Sequence, residues 1–225
     1  MNKLQLFCSL SALALLLSAC STSRLVRPLD KKEVAIGLDF GGPIIDFAGA
    51  KIPIPLSSIT AGYGIDSTFT VYGSLHTTDL AFRLFHLEAG VLKELTSPKK
   101  GWIPGISVGA SSHFMVDGWE GNFRAYPQLD LNFYWQYLKK HRHFFYFNWT
   151  SWFDFWTTKA HNQPNYNLYI PSFGLGHTFI TKKWRYTVEV KWLAPSLSNR
   201  DITVSYNGIG RQGSVGVYLS FYRTF

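Results

Sequence analysis

The sequence predicts an all-β fold, a closed antiparallel β-barrel of about ten strands that crosses a membrane up and down, with eight strands as the alternative. Aromatic residues make up 17% of the chain and charged residues only 16%, whereas about a quarter of an ordinary soluble domain is charged. After residue 19, no stretch approaches the ~20 consecutive apolar residues that a membrane helix needs. Apolar and polar side chains instead alternate along many short segments, as in strands with one face toward lipid.

The last segment shows this alternation most simply. One face of it carries Val215, Val217, Leu219, Phe221 and Phe225. A closing strand that stops on Phe resembles the C-terminal signal of bacterial outer-membrane β-barrels. The resemblance covers residues 33–225 at the level of architecture and matches no particular family. It implies that Phe221 and Phe225 are read by the barrel-assembly machinery. Arg223 departs from the apolar pattern, and near the chain end it can snorkel to the membrane surface.

The first residues resemble a lipoprotein signal peptide, residues 1–19. A short charged start precedes an apolar stretch that is too short for an anchor, and Leu17-Ser18-Ala19-Cys20 resembles a lipoprotein cleavage box. The resemblance implies that Cys20 is diacylated and that the lipoprotein-sorting machinery handles the chain, with Ser21 favouring the outer membrane. The alternative is an ordinary secretory signal with a chance cysteine. Residues 20–32 are interpreted as a polar, lipidated tether.

Ten segments of the remaining chain have strand-like alternation and are separated by turn residues. They cover about 33–41, 58–65, 68–76, 80–92, 103–115, 123–138, 143–156, 166–181, 184–194 and 213–225. The fourth is ambiguous because Phe85 and Leu87 follow one parity while Phe82 and Leu84 follow the other. An even strand number places both termini on one side, and a lipidated Cys20 makes that side periplasmic. The weakest point is the connection 77–79, which is short for an outward loop.

Alternation alone does not say which face is the interior. A soluble, lipid-anchored barrel would turn its apolar face inward, and a membrane barrel would turn its polar face inward. The polar face consists mostly of Ser, Thr, Gly, Asn, Gln and Tyr rather than Lys and Glu, which favours a narrow lumen. The residues predicted to form a charge-neutralising network in that lumen are Asp130, Arg185, Glu189 and Lys191.

The candidates for chemistry are His76, His113 and Asp154, each on the lumen face near the outward end of a strand. A histidine with an aspartate at a barrel mouth has the residue types of a general base and its orienting carboxylate, as in outer-membrane proteases or lipid deacylases. No motif of those families is present. The histidines lack metal-ligand spacing, so no metal and no cofactor are predicted.

We therefore expect a small lipid-anchored outer-membrane barrel with a structural, binding or weak pore role. The alternatives are a membrane hydrolase that uses the mouth residues and a periplasmic ligand-binding barrel. The expected partners are membrane lipids and the two sorting and assembly machineries. The net charge of +8 accompanies no nucleic-acid-binding motif, so no nucleic-acid partner is expected. The sequence leaves the oligomeric state open.

Overall fold

The computed structural model describes residues 25–98, 102–137, 143–159, 164–200 and 204–225. In these ranges the chain forms one antiparallel sheet of eleven strands and a short helix, α1. The elements are β1 Val34–Phe47, β2 Ala50–Pro53, β3 Leu56–Asp66, β4 Phe69–His76, α1 Thr77–Ala81, β5 Leu84–Thr96, β6 Gly105–Asp117, β7 Phe123–Tyr137, β8 His143–Phe153, β9 Tyr169–Ile180, β10 Trp184–Ser198 and β11 Gln212–Thr224. Cys20 lies outside the described residues.

The sheet closes on itself between its first and last strands. β1 pairs with β11 from Ala35 opposite Thr224 to Pro43 opposite Gly216, and its other edge pairs with β3. β2 pairs only with the end of β1, so ten of the eleven described strands form the closed barrel. Closure leaves no open edge of unpaired backbone groups in lipid. The ten-stranded antiparallel prediction is confirmed, and the eight-stranded alternative is wrong.

The apolar face of the barrel is its outer face. Leu38, Leu129 and Val190 are 57%, 47% and 47% exposed, while the adjacent Asp39 and Glu189 are 4% and 0% exposed. Apolar side chains around the outside and hydrogen-bonding side chains inside are the arrangement that hydrocarbon requires. The chain is therefore a transmembrane barrel, and the soluble alternative with an apolar interior is wrong. In the described part of the chain, no helix is long and apolar enough to cross a bilayer.

Two connections differ from the sequence prediction. The sequence prediction leaves residues 42–57 between its first two strands, whereas β1 continues to Phe47 and turns into β2. Ala48 and Gly49 both adopt positive φ, 50° and 84°, as a tight two-residue hairpin requires. The connection after β4 runs over residues 77–83 and contains α1, so β5 begins at Leu84 rather than near residue 80. The ambiguous parity before Leu84 therefore belongs to a helix and a turn.

The two ends of the barrel differ. The end with Val34 and Phe225 is called the terminal end, and the opposite end, with α1 and the β1–β2 hairpin, is called the loop end. Phe221 and Phe225 project outward near the terminal end, 42% and 64% exposed. The Arg223 guanidinium lies over the rings of Trp184 and Phe225, 6.0 and 4.9 Å from their centroids. These contacts explain how a cation is accommodated on an otherwise apolar face.

Residues 25–33 are called the plug here. Residues 25–29 lie inside the terminal half of the barrel, and the exposed residues 30–32 lead from them to β1. Leu25, Val26 and Leu29 are all buried, and Leu29 is 0% exposed. Leu29 N donates to Thr70 Oγ1 at 2.8 Å, and Ser107 Oγ donates to the carbonyl of Val26. Residues 25–29 of the segment interpreted as a polar tether are thus packed within the lumen.

One glycine makes room for the plug. A Cβ built on Gly64 in β3 would lie 2.1 Å from the carbonyl oxygen of Asp30. The backbone nearby is also paired, because Lys32 N donates to Gly64 O at 2.8 Å and Gly64 N donates to Glu33 O at 2.9 Å. The plug therefore contacts the barrel wall through its backbone as well as through its apolar side chains.

Candidate functional site

The four predicted lumen residues are all buried, and each has a charged or hydrogen-bonding partner. Lys191 Nζ lies 3.8 Å from Glu189 Oε2. Asp130 accepts hydrogen bonds from Gln128 and Thr150, as described below, and Arg185 Nη2 donates to Glu33 Oε2 of the plug at 2.8 Å. Arg185 thus ties β10 to the plug, a role that strand parity could not indicate.

A polar ladder runs along the lumen from Asp130 to the plug. Thr150 Oγ1 lies 2.8 Å from both Asp130 Oδ1 and Asn148 Oδ1. Asn148 Nδ2 donates to Asn132 Oδ1 at 2.8 Å, and Asn132 Nδ2 donates to Ser107 Oγ at 3.1 Å. Ser107 in turn bonds the Val26 carbonyl. Buried amides and hydroxyls are costly unless paired, so this ladder stabilises the lumen only because its members satisfy one another.

Three histidines meet at the loop end of the lumen, one from each of β4, β5 and β6. The His76 and His86 rings stack at a centroid distance of 3.6 Å, and the His113 ring lies 5.8 and 5.2 Å from them. One ligand nitrogen of each ring lies within 4.8 Å of those of the other two, and these three form the one such group among the described residues. We call them the histidine cluster.

Strand register brings the histidine cluster together. Leu75 in β4 lies opposite Leu87 in β5, so His76 and His86 occupy the next positions of that register, on the lumen face. Glu88 lies opposite His113 in the β5–β6 pair. Side chains two residues apart on neighbouring strands remain within contact range, which places all three rings together.

Each ring has oxygen partners. His86 Nδ1 lies 2.5 Å from Asp79 Oδ2, which is carried by α1, and His86 Nε2 lies 3.0 Å from His113 Nδ1. His113 Nε2 lies 3.2 Å from Gln128 Oε1. Glu88 lies between His76 and His113, 3.7 Å from His76 Nε2 and 3.8 Å from His113 Nε2. Two carboxylates therefore flank three imidazoles.

Gln128 joins the histidine cluster to the polar ladder. Its Nε2 donates to Asp130 Oδ2 at 2.9 Å, and its Oε1 lies 3.2 Å from His113 Nε2. The contacts from Asp79 through His86 and His113 to Gln128 therefore form one continuous chain of polar groups in the lumen.

Aromatic and apolar side chains pack beside the histidine cluster. The Trp152 ring lies 4.5 Å from that of His113 and stacks on Tyr126 at 5.2 Å. His86 and His113 are 1% and 0% exposed, while the His76 side chain is 13% exposed. The cluster is thus a shielded polar site that opens toward the loop end on the His76 side.

The trio predicted from sequence is only partly assembled. His76 and His113 meet, as their parity and strand ends indicated. Asp154 lies in the β8–β9 connection, where its carboxylate accepts a hydrogen bond from Trp156 N at 3.1 Å. Asp79, on the helix that the sequence did not reveal, and His86 of β5 complete the site. The missing information was the pairing register of β4, β5 and β6, which brings His86 beside His76 and His113.

Comparisons with known proteins find similarity to solved structures only. No family model and no curated protein matches it. The translocator domain of the autotransporter NalP from Neisseria meningitidis has 9% identity and a TM-score of 0.45, over 89% of this chain and 91% of that one. An outer membrane channel from Pseudomonas putida F1 has 9% identity and a TM-score of 0.44, over 89% and 98%. The outer membrane protein OprG from Pseudomonas aeruginosa has 14% identity and a TM-score of 0.33, over 89% and 99%. Similarities of this size carry no inference about function.

Proposed function

We propose that this protein is a lipid-anchored barrel of the outer membrane of a Gram-negative bacterium. In this proposal its lumen is closed by its own N-terminal segment, and it serves as a structural or binding protein rather than as a pore. The observation that carries the proposal is the plug, with Leu25, Val26 and Leu29 buried in the terminal half of the lumen. The loop half holds the histidine cluster and its partners. A barrel of this strand number has an interior that side chains can fill.

Charge pairing inside the lumen supports the same conclusion. Arg185 is paired with Glu33, and Lys191 lies near Glu189. A conducting pore exposes charged groups to water, whereas these four side chains are no more than about one-fifth exposed, at 10%, 19%, 3% and 0%. Their pairing offsets the cost of burying charge. We therefore expect no stable conductance from the intact barrel.

The position of the plug is compatible with an acylated Cys20. Five residues lead from Cys20 to Leu25, a reach of at most about 17 Å for an extended chain. An acylated Cys20 would thus insert into the leaflet at the terminal end, which makes that end periplasmic. The acyl chains and the plug would act together, one holding the chain start to the bilayer and the other to the lumen.

Membrane fractionation of the full chain tests this assignment. Wild-type protein is expected in the outer-membrane fraction, resistant to carbonate extraction, with migration on gels that changes on heating. It should incorporate labelled palmitate, and Cys20→Ala should abolish that label while leaving the heat-dependent migration. Carbonate extraction of the wild-type protein, or palmitate labelling that persists in Cys20→Ala, would contradict the proposal. In planar bilayers the purified wild-type barrel should show no discrete current steps.

A membrane hydrolase is the second candidate function. The observation that favours it is the Asp79–His86 contact of 2.5 Å, the arrangement of a base and its orienting carboxylate. Purified barrel would be offered phospholipid, lipid A and peptide substrates. Turnover that disappears in His86→Gln and persists in His177→Gln, a change on the outer wall, would establish the hydrolase and overturn the non-enzymatic proposal.

A further inference from the structure

We propose that His76, His86 and His113 bind one divalent transition-metal ion of the zinc class within the lumen. The three rings come from three consecutive barrel strands, and one ligand nitrogen of each lies within 4.8 Å of those of the other two. Three imidazoles with an open fourth position form a common zinc-binding set. The site goes beyond the structural role proposed above and is independent of the lipid anchor.

The distance between the two innermost rings matches a tetrahedral ion. Zinc–nitrogen bonds of about 2.0–2.1 Å place neighbouring ligand nitrogens about 3.3 Å apart. His86 Nε2 and His113 Nδ1 are 3.0 Å apart. A small widening of this pair, with both rings turning their nitrogens toward the ion, therefore accommodates the ion beside them.

The remaining nitrogens of these two rings already have the partners that metal-bound histidines use. His86 turns its Nδ1 to the Asp79 carboxylate, and His113 turns its Nε2 to the Gln128 amide oxygen. Such partners hold the ring orientation and make the ligand nitrogen more basic. Asp79 is thus a positioning residue, acting on the ion through His86.

The charge and burial of the site also favour a cation. Asp79 and Glu88 supply two carboxylates beside the rings, and both are buried, at 7% and 3% exposure. The negative charge of two buried carboxylates beside the rings would offset the charge of a bound ion. Glu88, 3.7 Å from His76 Nε2, lies within reach of the fourth coordination position.

Coordination requires one rearrangement. The His76 and His86 rings are parallel to within 4°, and the lone pairs of imidazole nitrogens lie in the ring plane. Both cannot point at one ion until the His76 ring rotates out of the stack. His76 is the most exposed of the three and borders the loop end, so the ion enters on that side and His76 is the ligand that closes over it.

Nitrogen ligands select the class of ion. Imidazole suits zinc, copper, nickel and iron, whereas magnesium and calcium take oxygen ligands. We therefore expect Zn²⁺ and Co²⁺ to bind with one ion per barrel, and Mg²⁺ not to compete at millimolar concentration.

The test uses purified, folded, full-length barrel from which metal has been removed with a chelator. Calorimetry with Zn²⁺ should give one equivalent, and Co²⁺ should give the visible absorption bands of a tetrahedral site. His76→Ala, His86→Ala and His113→Ala should each weaken Zn²⁺ binding more than tenfold. Asp79→Asn should weaken it by about 10- to 100-fold, as expected for loss of an outer partner, without removing the one-to-one stoichiometry.

The matched control is His177→Gln. His177 lies on the outer wall, where its Nε2 is 2.6 Å from the Tyr137 hydroxyl, and its ring lies 6.4 Å from that of His143. This change should leave Zn²⁺ binding intact. The proposal is overturned if the wild-type barrel takes up no stoichiometric Zn²⁺, if the cluster variants bind as the wild type does, or if His177→Gln removes binding.

Folding and metal binding are separated by the gel assay. Each variant is scored for heat-dependent migration, and where His86→Ala or His113→Ala fails to fold, the edge variant His76→Asn and the wild-type stoichiometry decide. A barrel that fractionates with the outer membrane but binds no Zn²⁺ would contradict the zinc site and leave the proposed function standing. A Zn²⁺-binding barrel that carries no palmitate would instead contradict the lipid anchor.

Discussion

Tyr222 donates its hydroxyl proton to the Asp39 carboxylate, at 2.8 Å from Oδ1 and 3.0 Å from Oδ2, across 183 residues of sequence. The two residues lie on β11 and β1, so this hydrogen bond spans the seam that closes the barrel. Asp39 also accepts from Thr60 Oγ1 at 2.8 Å and from Ser58 Oγ at 3.2 Å. One buried carboxylate thereby holds three neighbouring strands, β11, β1 and β3.

Replacing this hydroxyl should weaken the seam. Tyr222→Phe removes a buried hydrogen bond to a charged acceptor, so we expect the free energy of unfolding to fall by about 1.5–3 kcal/mol. Urea unfolding in lipid vesicles, followed by tryptophan fluorescence, measures this change in the free energy of unfolding. Tyr186→Phe is the control, because Tyr186 faces outward beside Phe221, and we expect a change within about 0.5 kcal/mol. Equal effects of the two substitutions would contradict this account of the seam.

The plug can be tested by thiol labelling. Leu29→Cys should resist a membrane-impermeant maleimide in the folded barrel, because position 29 is 0% exposed. Lys31→Cys, at an exposed position of the same segment, should label readily. Both should react fully in denaturant. Rapid labelling of Leu29→Cys in the folded protein would show that the segment lies outside the lumen.

Replacing Gly64 should destabilise the contact between β3 and the plug. In Gly64→Ala the new Cβ would lie 2.1 Å from the Asp30 carbonyl oxygen, and such overpacking costs about 1–3 kcal/mol of unfolding free energy. The matched control is Gly73→Ala, where the nearest atom to the new Cβ is the Glu88 carbonyl oxygen at 3.4 Å. We expect the control to unfold at nearly the wild-type urea concentration. If both alanines behaved alike, close backbone approach at Gly64 would not be the constraint.

The buried Lys191–Glu189 pair should respond unequally to single and double substitution. Lys191→Met removes the cation 3.8 Å from the Glu189 carboxylate, and breaking a buried pair by removing one partner costs about 3–5 kcal/mol. The double variant Lys191→Met with Glu189→Gln removes both charges and should recover more than half of that loss. Urea unfolding of the three proteins gives the coupling between the two side chains. Strictly additive effects would mean that the two charges do not interact.

Much of the fold follows from local periodicity. The positions at which apolar and polar residues alternate locate all ten barrel strands, most within a few residues of their observed ends. The polar face is rich in small and uncharged residues and poor in Lys and Glu, which indicates that it faces the lumen. The terminal strand illustrates the limit of this reasoning, because its parity places Tyr222 inside but does not reveal that its partner is Asp39. That pairing depends on closure between β1 and β11.

The plug and the histidine cluster could not be predicted from the local sequence pattern. Leu25, Val26 and Leu29 are too few, and too closely mixed with charged residues, to signal a buried segment. The sequence analysis groups Asp154 with His76 and His113 because all three lie near strand ends. In the structure the carboxylate that contacts His86 is Asp79, which lies on α1.

The sequence by itself determined the class of fold, the approximate strand positions and the face of each strand that meets lipid, because alternation along a strand is a local property. The tertiary structure alone decided which lumen residues meet and what fills the barrel. Those contacts depend on strand register, on the closing seam and on a segment that folds back into the interior, and each of these is set by pairing between distant parts of the chain.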